Sequence, residues 1–332
     1  MMNKNSRYIK FIVIKIIRMM ALFLGLTLLT FALSQLSPID PINAYLGADS
    51  NASPEQILAL RKQWGLDKSF IEQFFHWIES LSSGDFGRSH LYKAPVIEVI
   101  SNAFKNSFFL MIISWILSGI IGYILGTIAA FKKNTKIDNF IKLYSYTLAS
   151  TPSNVLGIIL LIIFSVWIPL FPVGLSSPIG VYDTDVNLVE RIYHFILPCL
   201  TLSFLGIANV AMHTREEMLE VLDSEYILFA KTCGENNWEL FKNHCFRNTV
   251  IPILMIQFSY FSELFGGSAL AEVIFAYHGL GSVMTQAGLG GDLPLLLGSV
   301  IISSLFVFCG NLIADILLVI FDPRIGREVD EN

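Results

Sequence analysis

Six blocks of apolar residues, separated by polar connectors, set the plan of this 332-residue chain. They lie at about 11–36, 106–131, 146–170, 194–213, 250–271 and 295–321. A helix rises 1.5 Å per residue, so about 20 apolar residues cross the hydrocarbon core of a bilayer. The pattern therefore predicts an all-α polytopic membrane protein with six transmembrane helices. The fourth block is the most diluted, with Asn209, His213 and Thr214 at its end. It is counted as a span because omitting it would put the tail on the opposite side. The first block has a basic start, and its apolar run from Met19 to Leu36 exceeds the core of a secretory signal. No small-x-small cleavage site follows, so a retained signal anchor is expected.

The connectors carry their own patterns. Segment 37–105 is long and contains two amphipathic runs. Ser53 suits an N-cap and Pro54 a first turn, ahead of Gln56–Trp64. Phe70, Phe74, Trp77 and Leu81 share one face of a second run. This predicts a small helical extracytoplasmic segment between helices 1 and 2. The connector at 214–252 is a polar island. Tyr226, Phe229 and Ala230 form one apolar stripe, and Trp238, Phe241 and Cys245 a second. Gly234 ends or bends the first helix, and Pro252 marks the start of the fifth span. Two short helices joined at a glycine, lying across the inner mouth, are expected. The resulting plan is tail and first helix at 1–36, cap segment at 37–105, transmembrane core at 106–322 and tail at 323–332.

Composition agrees with a membrane chain: 54% of residues are hydrophobic and 15% charged. A net charge of -5 without a basic tract gives no reason to expect nucleic acid. Charge placement gives the orientation. Lys4, Arg7, Lys10, Lys15 and Arg18 precede the first span, and Lys132, Lys133, Lys136 and Lys142 follow the second. The connector at 171–193 carries only Arg191, and 272–294 carries no Lys or Arg. Basic loops stay inside, so both termini and the 214–252 island are expected in the cytoplasm. Cys199, Cys233, Cys245 and Cys309 all fall in spans or the island, where no structural disulfide is expected. Cys233 and His244-Cys245 match no closed zinc spacing, so no metal site is expected.

Inside the spans, Ser118, Gly119, Gly122 and Gly126 form a small-residue face suited to close helix contact. Glu263 lies in the fifth block and Asp315 in the sixth, with Asn311 one turn earlier. An intramembrane carboxylate is costly and suggests a pathway or a bundle partner. Glu263 is the candidate for a translocation pathway, and Asn311 with Asp315 for structural hydrogen bonding. The spans show no catalytic constellation, so no enzyme is expected. There is no Gly-x-x-x-x-Gly-Lys-Ser/Thr loop, so any ATP is bound by a partner and no cofactor by this chain.

The island resembles the EAA loop of ABC transporter permeases. Ala230, Gly234 and Pro252 match its core, while Glu225-Tyr226, His244 and Arg247-Asn248 are similar to the dipeptide/oligopeptide/nickel branch. Four further segments agree with that branch: Gly65-Leu66-Asp67, Gly84-Asp85-Phe86-Gly87, Gly267 with Glu272-Val273-Ile274-Phe275, and Asn311 through Asp322-Pro323-Arg324. The chain departs at Leu228-Phe229, Thr232-Cys233 and His278. The resemblance implies a binding-protein-dependent importer of the bacterial cytoplasmic (inner) membrane. It implies a second permease subunit, two cytoplasmic ATPases that bind the EAA loops, and an extracytoplasmic solute-binding protein. Peptides, or nickel and chelated metal, are the implied cargo. The alternative is an ion-coupled secondary transporter, for which paired intramembrane charges and inverted repeats would be the signature.

Overall fold

The computed structural model describes residues 4–36, 40, 42, 46, 53–63, 65, 67–176 and 186–321. Among these the regular structure is helical, with a single isolated bridge between Arg88 and Pro95. Trp64, Leu66, the Asp322-Pro323-Arg324 motif and the tail at 323–332 lie outside the described residues. Four helices are long and apolar enough to cross a membrane, or up to six if each of two bent pairs counts as one span. The chain divides into two compact units.

One unit comprises 9–106 and 278–308. It holds most of α1 (Lys4–Gln35), then α2 (Pro54–Gln63) and α3 (Phe70–Ser82). The expected start of α2 is observed. Ser53 and Gln56 exchange side-chain-to-backbone hydrogen bonds of 3.0 and 3.3 Å, satisfying helix-end N–H groups. Ser69 and Glu72 do the same for α3, and the Ser69 backbone and hydroxyl donors lower the Glu72 pKa. The aromatic face of α3 meets Phe31 of α1: Phe70, Phe74 and Trp77 stand 5.3, 5.4 and 6.1 Å from its ring. The helix α4 (Val96–Phe131) begins within the segment expected as the cap, ahead of the apolar block at 106. Val96, Val99, Ile100 and Ala103 recur at three and four and are all buried, so an apolar face draws this stretch into the helix. At 36 residues α4 is about 54 Å long, well beyond the roughly 30 Å hydrocarbon core.

The other unit comprises 1–8, 107–277 and 309–332. Besides α4 it contains α5 (Lys136–Ala149), α6 (Ser153–Leu161, continuing as a π turn to Trp167), α7 (Leu188–Leu222) and α8 (Glu225–Thr232). The short α9 (Asn237–Leu240) passes through a π turn at Phe241–Cys245 into α10 (Phe246–Ser259), which α11 (Phe261–Ile274) follows. The small face of α4 packs on α7. A Cβ added at Gly122 would sit 2.6 Å from Val210 Cβ, and one at Gly126 would sit 2.5 Å from the Ala211 carbonyl oxygen. Gly206 faces Ser118 in the same way. The pairs 118/206, 122/210 and 126/214 advance together, so α4 and α7 run parallel.

Other contacts run in the opposite sense. Arg215 holds Asp138 at 2.6 and 3.0 Å while the Tyr144 hydroxyl donates to the Phe204 carbonyl, which makes α5 antiparallel to α7. Trp115 pairs with Gln257 and Tyr123 with Thr249, which makes α10 antiparallel to α4. In chain order α4, α5, α7 and α10 thus alternate in direction.

Two expected spans are broken. The block 146–170 bends by 107° between α5 and the helix from Ser153 to Trp167. Thr151 precedes Pro152 and is disfavoured from helical geometry, while the Ser150 and Thr151 hydroxyls donate to the Tyr146 and Thr147 carbonyls and close α5. The fifth block bends by 51° at Tyr260. Pro252 is inside α10 rather than at its start, and residues 214–222 prolong α7, which meets no breaker before Asp223-Ser224. Of the two remaining named helices, α12 (Leu280–Leu289) belongs to the first unit, and α13 (Leu293–Phe321) has residues in both.

Candidate functional site

The region 224–252 is a built element rather than a solvated loop. Glu225 opens α8, and Gly234 ends it at φ 92°, where a side chain is disfavoured. The Glu235 N–H donates to the Ala230 carbonyl at 3.2 Å, the six-to-one bond of a Schellman turn. Asn236 then starts α9, accepting from the Trp238 and Glu239 amides. The second helix is not a separate short one. It continues through the π turn into α10, so the glycine joins α8 directly to the fifth block.

The apolar stripe expected from Tyr226, Phe229 and Ala230 is corrected. Ile227 and Ala230 are buried, with Met218, Ala130, Leu240 and Cys245, while Phe229 is 70% exposed. The helix turns its Ile227–Ala230 edge to the ends of α4 and α7, and spacing alone left the choice of edge open. Trp238 is also 70% exposed, stacked on Phe241 at 5.6 Å. On α8, Leu228 and Phe229 are exposed while the opposite edge is anchored from beneath.

Three of the expected residues meet. The Asn248 amide donates to the Tyr226 hydroxyl at 3.2 Å and to the His244 carbonyl at 2.9 Å. The rings of Tyr226 and His244 are 6.2 Å apart. His244 Nε2 pairs with Glu235 at 3.1 Å, so Glu235 joins the cluster that sequence reasoning left it out of. These bonds tie α8 to α10 across the glycine. Arg247 is exposed and takes no part in them, and Glu225 is likewise exposed.

Glu263 sits elsewhere, in the first turn of α11 just past the bend at Tyr260. It lines a cavity of about 630 Å³ with Ser150, Thr151, Asn209, Gln257 and Tyr260. Both helix breaks open onto this space. Two carboxylates not expected as site residues are Glu272, fully buried with the Ser107 hydroxyl at 2.5 Å, and Asp292. Asp292 accepts from the Ser89 hydroxyl and from the His90, Leu91 and Leu295 amides. A carboxylate with that many donors belongs to the architecture, and its only sequence signal is its place before a helix. Asn311 accepts from Ser262 at 2.6 Å, the structural bond expected of it. Cys199 and Cys245 are buried, and no group of three metal-ligating side chains occurs among the described residues.

Residues 122–327 match the family described as the binding-protein-dependent transport system inner membrane component. Residues 8–113 match the N-terminal region of such membrane components. The chain belongs to this permease family. The oligopeptide transport system permease protein AppB of Bacillus subtilis is 34% identical over 307 residues, 92% of this chain and 95% of AppB. The probable D,D-dipeptide transport system permease protein DdpB of Escherichia coli is 31% identical over 319 residues, covering 91% and 93%. The dipeptide permease DppB of the same organism is 29% identical over 324 residues, covering 92% and 95%. The permease is thus a non-enzymatic, multi-pass membrane component of an ABC importer, a class that works with ATPase and binding-protein partners.

Proposed function

We propose that this permease forms one half of a peptide pathway through the bacterial cytoplasmic membrane and is driven through α8. The observation that carries the reading is the double-sided character of that helix. Its inner edge is locked to α4 and α7 by Ile227 and Ala230, and its outer edge offers Leu228 and Phe229. A helix held on one side and open on the other is a lever. A cytoplasmic ATPase grips the open side, and the Tyr226–Asn248–His244–Glu235 bonds carry displacement into α10 and the bend at Tyr260. Two such permeases, of different sequence, pair around the path, with two ATPases below and a solute-binding protein outside. Both termini face the cytoplasm. Peptide is favoured over nickel because the relatives named above are peptide permeases.

Cys233 is exposed beside Gly234 and provides the test. A membrane-impermeant maleimide should label it from the cytoplasmic side only, and the purified permease should carry an ATPase subunit with it. Labelling from outside, or an assembly free of any ATPase, refutes the reading. Uptake into vesicles that follows an ion gradient and ignores ATP would establish the ion-coupled alternative.

A further inference from the structure

The cavity at the two helix breaks has a one-sided chemistry. Among the described residues that line it, Glu263 is the only acidic or basic side chain. The neighbouring polar groups have largely spent their donors. Ser150 and Thr151 give their hydroxyl protons to carbonyls of α5, leaving lone pairs free. Gln257, 4% exposed, gives its amide N–H groups to the Trp115 carbonyl at 2.6 Å and to the Ser118 hydroxyl at 3.3 Å. Its Oε1 is buried without a hydrogen-bond partner. The carbonyl end of α5 and the amide end of α6 meet at the same wall, so their helix-end charges offset and Glu263 sets the sign. Asn209 and Tyr260 contribute donors as well, but the balance is toward acceptors around one carboxylate.

We propose that this cavity recognises the free amino end of the transported peptide. Glu263 takes the ammonium charge, and the Ser150 and Thr151 hydroxyl oxygens accept its N–H groups. About 630 Å³ is within the range of small-molecule sites. The inference rests on the importer reading and deepens it, by making the permease itself a checkpoint for cargo.

The test uses the complete assembly in proteoliposomes, with radiolabelled dialanine as the probe. Dialanine has one amino group, so a loss refers to the peptide terminus rather than to a side chain. E263Q keeps shape and removes charge. It should slow ATP-driven uptake about tenfold or more, the effect of losing a charge-assisted hydrogen bond, while ATP hydrolysis continues. E263D should keep much of the uptake, and E263Q/N209D, which returns a carboxylate to the same lining, should recover part of it. Wild-type uptake by E263Q overturns the proposal. So does a parallel loss of uptake and hydrolysis in a fully assembled E263Q complex, because Glu263 would then serve coupling. A wild-type assembly without ATP-driven dialanine uptake would instead refute the importer reading beneath it.

Discussion

Gly234 offers a sharp test of how α8 is held. Its φ of 92° lies in the region that L side chains rarely adopt, yet a Cβ placed there would meet nothing within 4 Å. A substitution therefore costs backbone strain and no internal clash. Alanine should cost about 1–2 kcal/mol, asparagine less, and a β-branched residue more. A penalty of 1–2 kcal/mol lowers the population of the native turn about 5–30-fold against its competitors. Glu235 follows the glycine directly, so a turn that relaxes also loosens the His244 pair and the burial of Ile227 and Ala230. Uptake per ATP hydrolysed, measured in proteoliposomes, should fall in the order Asn, Ala, Val. Leucine separates strain from docking. Its unbranched Cβ tolerates the turn better than valine, but it projects further from an exposed surface. Leucine markedly worse than valine would refute the strain argument and place the damage in the partner interface. Wild-type coupling in Gly234→Val would refute both.

Gly126→Ala sets a Cβ 2.5 Å from a backbone oxygen of α7, which cannot yield, so α4 and α7 must part at a cost of about 1–3 kcal/mol. Thermal unfolding in detergent should show the loss, with Gly266→Ala, which sits inside α11 and meets nothing within 4 Å, as a control that loses no stability. Arg215→Ala removes the bidentate partner of the fully buried Asp138, leaving it the Asn134 amide at 2.9 Å and Lys142 at 3.6 Å, and should cost about 3–5 kcal/mol in the same assay. Adding Asp138→Asn should recover part of that. Burial lowers the His90 pKa, with Asp292 partly opposing it, so folding prefers the neutral imidazole. Stability should therefore be fully present above about pH 6.5 and decline as pH falls below it, and His90→Gln should flatten that slope.

Much of the plan was legible because it is local and periodic. The apolar blocks, the Ser53 cap, the Phe70–Phe74–Trp77 face and the Gly122–Gly126 seam each follow from spacing along one helix. Gly234 was legible for a similar reason, since a helix that stops needs a residue tolerant of positive φ. The sequence also carried the family, through motifs spread along the chain.

The tertiary structure decided the rest. A stripe at three and four does not say which edge meets a neighbour, and Phe229 turned outward because Ile227 and Ala230 fit the ends of α4 and α7. An apolar block does not reveal a bend, and the break at Ser150–Pro152 was hidden by the hydrophobicity on either side of it. Asp292 is buried through donors some two hundred positions away in the chain, and Glu272 through Ser107. Gln257 reads as an ordinary polar residue until its amide is seen to be spent and its carbonyl left free. Burial and unpaired hydrogen-bonding capacity are properties of surroundings, and surroundings exist only once distant segments have packed.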